Sequence, residues 1–174
     1  LKKILTLVLS LLLIAVFYIY ALLSEDVDAR QPSPWTVAEE KAPLQSIGTV
    51  TATDAAALGR AMGSAAPLPA NLSAGSVEDG SYHGYPVRLL HASAPGLSVR
   101  GVRPLSAAPL VRTTHVTYKP SGAALLGYPL IIAKDDTGFF YYMTTEDAAY
   151  EIRTQAQDEQ SSLALLSTLT LIQP

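Results

Sequence analysis

A run of twenty residues without a charge, Ile4 to Leu23, constrains this chain more than any other feature. At about 1.5 Å of rise per helical residue it spans roughly 30 Å, the thickness of a bilayer's hydrocarbon core. Lipid offers no partner to a backbone N–H or C=O, so such a run is expected to be a helix. Lys2 and Lys3 precede it, and Glu25, Asp26 and Asp28 follow it. Basic flanks stay on the cytoplasmic side, which puts the N-terminus inside and everything after Ser24 outside. Phe17, Tyr18 and Tyr20 then stand at the outer boundary, where aromatic rings are favoured.

The competing reading of the run is a cleaved signal peptide, with small residues at Ile19-Tyr20-Ala21 and Val27-Asp28-Ala29. Secretory cores are usually about 7–15 apolar residues, and this run is longer, which favours an uncleaved anchor. A lipid-modified cysteine is excluded because the chain has no Cys. The same lack excludes disulfides and thiol chemistry, and it fits a bacterial envelope protein better than a small exported eukaryotic domain. The expected location is therefore the cytoplasmic membrane, single-pass, with only Leu1 to Lys3 inside.

Residues 24–48 read as a tether. Pro32, Pro34 and Pro43 interrupt scattered charges, and no apolar period runs through them. Trp35 is the one bulky residue there, placed either at the start of the fold or near the bilayer surface. Residues 49–174 have the size of one domain. Asp54 or Thr53 caps a short helix from Ala55 to Met62, and Gly63 supplies its left-handed stop. Residues 65–80 are rich in Ala, Pro, Ser and Gly and read as loop. Asn71-Leu72-Ser73 matches a glycosylation sequon, which in a bacterial protein is chance.

From Ser81 the pattern turns to strands. Gly84-Tyr85-Pro86 opens one apolar strand, a turn at Ser93 to Gly96 follows, and Leu97 to Val102 returns. Gly127-Tyr128-Pro129 opens another, with Asp135-Asp136-Thr137-Gly138 as its turn and Phe139 to Met143 as its return. The shared pattern has two explanations, a degenerate duplication or the ordinary preference for Gly, Tyr and Pro at strand entries. Val111 to Lys119 and Ala148 to Ala156 read as further strands. Asp158 caps a last helix from Glu159 to Leu169, with an apolar stripe at Leu163, Leu165, Leu166 and Leu169. The expected fold is α+β: a small antiparallel sheet of hairpins, a short helix before it and a C-terminal helix packed on it.

Charge is distributed unevenly. No Asp or Glu lies between Gly80 and Lys134, a stretch holding Arg88, Arg100, Arg103, Arg112, Lys119, Lys134 and all three histidines. Residues 135–159 reverse the sign, with Arg153 alone against seven carboxylates. Either the stretches pair as neighbouring strands, or Arg88, Arg100, Arg103 and Arg112 form a face for an anionic envelope component. Arg88 opposite Arg100 in the first hairpin would demand a carboxylate or an anion between them. With Lys2 and Lys3 inside, ten basic residues stand against fifteen acidic ones outside, which excludes generic nucleic-acid binding.

His83, His91 and His115 lack the close spacing of metal ligands, so no metal and no cofactor is expected. No nucleophile elbow, Ser-x-x-Lys or phosphate-cradling glycine loop is present. The layout resembles extracytoplasmic domains of Firmicutes membrane-anchored proteins, including those at the C-terminus of anti-sigma factors. What carries the resemblance is the anchor, the hairpins, and the closing segment Ala149-Tyr150-Glu151-Ile152-Arg153-Thr154 through Leu163-Ala164-Leu165-Leu166 to Leu169. It covers at most residues 84–172, and with only Leu1 to Lys3 expected inside, a departure is expected from it: no cytoplasmic sigma-binding domain. The resemblance implies a domain that senses or binds something in the envelope, and it assigns no site residue.

The sequence thus points to a membrane-tethered, non-enzymatic extracytoplasmic binding or sensing module. Its expected partners are the membrane, through residues 4–23, and an anionic envelope component or a partner protein. The alternatives are a hydrolase assembled around His83 or His115 and an accessory subunit of a membrane complex. The anchor has no small-xxx-small motif of Gly and Ala, which argues against tight helix pairing.

Overall fold

A computed structural model describes residues 45–174 of the chain. The anchor at 4–23, Trp35 and the tether up to residue 44 lie outside the described residues. Among the described residues no helix is long and apolar enough to cross a membrane. The fold is broadly α+β and mostly sheet: an eight-stranded antiparallel sheet and a separate strand pair, with few helices.

Strand β1 is Gln45–Ala52, so the fold begins three residues or more before the tether was expected to end. Helix α1 follows at Ala55–Met62. Asp54 is its cap, accepting from the amides of Ala56 and Ala57 at 3.1 and 3.3 Å. Gly63 closes it at φ 67°, the left-handed value its sequence position called for. The segment expected to be loop instead holds β2, Ala66–Pro69, and the start of β3, Ala74–Tyr82. Strands β4 (Tyr85–Ala94) and β5 (Leu97–Arg103) complete the first meander.

A 3-10 turn over Leu105–Leu110 then leads into irregular chain, and Val111 to Tyr118 is not the expected strand. Strands β6 (Lys119–Leu125), β7 (Tyr128–Asp135) and β8 (Gly138–Thr144) form a second meander. Strand β9 (Ala149–Thr154) returns between β5 and β8. Helix α2 is Glu159–Leu166, capped by Asp158, and it ends before Leu169, which belongs to β10 (Leu169–Ile172). The order across the large sheet is β1-β3-β4-β5-β9-β8-β7-β6, while β2 and β10 pair separately.

The two Gly-Tyr-Pro segments occupy equivalent places. His83-Gly84 joins β3 to β4 with φ 51° and 80°, and Leu126-Gly127 joins β6 to β7 with φ 53° and 90°. Positive φ at both central residues is the two-residue turn whose twist matches paired strands. Tyr85-Pro86 and Tyr128-Pro129 then enter their strands.

Side chains alternate across the sheet, and its two faces have different covers. One face carries Val77, Leu90, Val99, Tyr150, Ile152, Tyr141 and Met143, all buried. Helix α1 lies over its β1–β4 half, with Leu58 and Met62 fully enclosed. Helix α2 joins the β8–β9 end of the same face through Ser162, whose hydroxyl meets those of Tyr141 and Thr154 at 2.6 and 2.5 Å. Leu68 of β2 and Leu169 of β10 complete that core. The opposite face is covered on its β5–β9–β8 side by residues 105–118. On its β1–β3–β4 side it is a shallow open groove lined by Thr51, Ser76, His91, Ser93, Ser98 and Arg100.

Candidate functional site

The four arginines fall on two faces. Strands β4 and β5 close through Pro95-Gly96, with Ala94 opposite Leu97, so Arg88 faces Arg103 and His91 faces Arg100. Arg88 does not stand opposite Arg100, because β4 runs to Ala94 and the turn is only two residues long. Arg88 and Arg103 lie on the helix-covered face and carry a carboxylate each. Arg88 Nε is 2.7 Å from Asp79 Oδ1, directly across on β3. Arg103 Nε is 3.0 Å from Asp147 Oδ2, and its Nη1 donates to the carbonyl of Gly63 at the end of α1. Ser64 donates to the other oxygen of Asp147 at 2.5 Å. Next to this cluster, burial pushes the Tyr150 phenol up to about 12, which keeps it neutral.

Arg100 and Arg112 lie on the opposite face and hold the irregular segment in place. Arg100 Nη2 donates to the carbonyl of Leu110 at 3.0 Å, and its Nη1 stands 3.8 Å from Glu151. Glu151 is 3% exposed and accepts from the Thr113 amide at 2.5 Å, the Thr113 hydroxyl at 2.8 Å and the Tyr118 hydroxyl. Burial first, and then that bond to Glu151, hold the Tyr118 phenol well above its usual range. Arg112 lies over the rings of Tyr118 and Tyr142, 5.0 and 5.8 Å from their centroids. The four arginines therefore meet the fold's own carboxylates and rings, two of those carboxylates, Asp147 and Glu151, coming from residues 135–159.

The histidines are separated. His83 sits in the β3–β4 turn, edge-on to Tyr82. His115 Nε2 is 3.4 Å from Asp135 Oδ2 on the surface, while Thr137 donates to the other oxygen of that carboxylate. The Thr137 hydroxyl donates to that same oxygen, Asp135 Oδ1. No group of three metal-ligating side chains occurs among the described residues.

His91 lies in the open groove, where burial, then the Arg100 charge, lower its pKa, with Glu78 opposing. The unfolded chain takes up this proton near pH 6.5, the folded chain only at lower pH. Stability from this group is therefore whole above about pH 6.5 and declines as pH falls below it. The urea midpoint of the full chain should drop between pH 7.5 and 5.5, and His91→Gln should flatten that drop. Equal drops in both proteins would remove this role.

The feature that sequence reading passed over is the outer edge of β1. From Gln45 to Ala52 the strand has no charge and no proline. Ile47 is 76% exposed and Val50 50% exposed, although Val77, directly across from Val50, is buried. A slip in register between Ser46 and Gly48 leaves Gly48–Ala52 as regular strand. The other edge differs: β6 carries Lys119, Pro120 and Gly122, and its pairing is interrupted between Pro120 and Ala124. Charge, proline and bulges are the usual devices that stop an edge from pairing, and β6 has all three. Thr49-Val50-Thr51 was legible as strand from its β-branched residues. No protein-family model, curated protein or solved structure matches this chain.

Proposed function

We propose that this protein is a membrane-tethered, non-enzymatic binding module of the bacterial cell envelope that recognises a partner protein through strand β1. The observation that carries the reading is the contrast between the sheet's two edges. A bare strand edge presents unpaired N–H and C=O groups, and an extended segment of another chain satisfies them by adding a strand. Val50, half exposed beside the buried Val77, supplies apolar area that an added strand covers. The arginines serve the fold in this reading, and Thr51 connects the edge to the open groove. Strand β1 opens the described residues and is the element nearest in sequence to the expected anchor.

Because the chain has no Cys, a single cysteine is a clean reporter. Thr49→Cys on β1 and Ala124→Cys on β6, each carrying a photo-crosslinker, are compared in the full chain in native membranes. Protein adducts should form from position 49 and not from position 124.

A further inference from the structure

We infer that the strand seated on β1 is β1 of a second copy, running antiparallel about a two-fold axis through Val50. The inference rests on the edge reading above and names its partner. Pairing about Val50 sets Val50 against Val50 and Thr49 against Thr51 of the other copy. Both are good cross-strand partners, and no like charges meet because the edge has none. A foreign partner is ordinarily selected by complementary charge, and this edge offers no charge to select with.

Pairing of β1 with β6 of another copy would build an open filament. Pro120, which has no N–H, and the interrupted register of β6 block that route. Of the large sheet's two edges only β1 with β1 remains, and it closes after two copies. The chain preceding the strand also fits. The two copies of residue 45 would stand roughly 30 Å apart, ten residues of antiparallel strand. Twenty-one residues of sequence, 24–44, separate that point from the expected anchor, a length that lets both anchors enter one bilayer. A regular contact of only Gly48–Ala52 is short, and confinement to one membrane raises the effective concentration that it needs.

The test uses the full chain in phosphatidylcholine vesicles, where it is the only protein present. Val50→Cys places its sulfurs within disulfide reach across the axis, so mild oxidation should give about tenfold or more disulfide dimer than Ala124→Cys. Val50→Lys, with an unchanged urea midpoint, should reduce the dimer seen by amine-independent chemical crosslinking about tenfold, since two ammonium groups then face each other. Equal, low dimer from Val50→Cys and Ala124→Cys overturns the second copy. If position 49 still forms adducts with a different protein in native membranes, the edge reading survives that failure. If it forms none, both fall.

Discussion

Replacing Gly138 with Ala should cost the fold more than about 3 kcal/mol, the largest effect expected of any single methyl group in this chain. Gly138 takes φ 143°, a region that L side chains rarely adopt. A Cβ there would stand 1.9 Å from the backbone oxygen of Thr154, which has no flexible end to move aside. Thr154 is fixed in turn, because its hydroxyl meets Ser162 at 2.5 Å and its Cα partners are Phe139 and Leu97. The start of β8 and the end of β9 must separate, or Gly138 must leave the ladder. Gly84→Ala is the control: its φ is 80°, but nothing lies within 4 Å of its added Cβ. It should cost about 1 kcal/mol, the backbone penalty alone. Urea unfolding of the full-length variants separates the two, and equal midpoints would show that the close approach to Thr154 has no energetic weight.

Glu151→Ala should cost about 2–4 kcal/mol, because it leaves the Thr113 amide and the Tyr118 hydroxyl without their acceptor. The partly exposed Arg100 adds less, since water screens it. Glu151→Gln keeps the shape and one acceptor oxygen and should lose less. The loss has a local signature: residues 111–118 should become the first site of proteolysis, and Tyr118→Phe should show the same signature more weakly. A uniformly destabilised chain with residues 111–118 still resistant would mean that Glu151 does not fasten that segment.

These two positions mark where the sequence was readable and where it was not. Caps and turns act locally, so Asp54, Gly63, Asp158 and the Asp135–Gly138 turn were legible from their neighbours. Strand β3 was missed because its core-facing positions include Gly75, where the Leu58 side chain of α1 fills the space. Strand β2 was missed because Ala66-Pro67-Leu68-Pro69 pairs only with β10, distant in sequence. Val111 to Tyr118 has the alternation of a strand, yet Thr113 and Tyr118 donate to one buried carboxylate that lies far along the chain. The acid-free stretch was a real pattern, and its partners Asp147 and Glu151 were in the acidic stretch. What sequence could not supply was the register that sends Arg88 and Arg103 to one face and Arg100 to the other. The edge strand was hidden for a different reason: a boundary drawn at residue 48 cut it in two.

The central claim is that β1, and not β6, is where this module meets its partner. Photo-crosslinking from Thr49→Cys and Ala124→Cys in the full chain, in native membranes, measures that directly. Protein-linked products are expected from position 49, disappearing when Val50→Lys is added, with none from position 124. Products from position 124 alone, or from neither position, would contradict it.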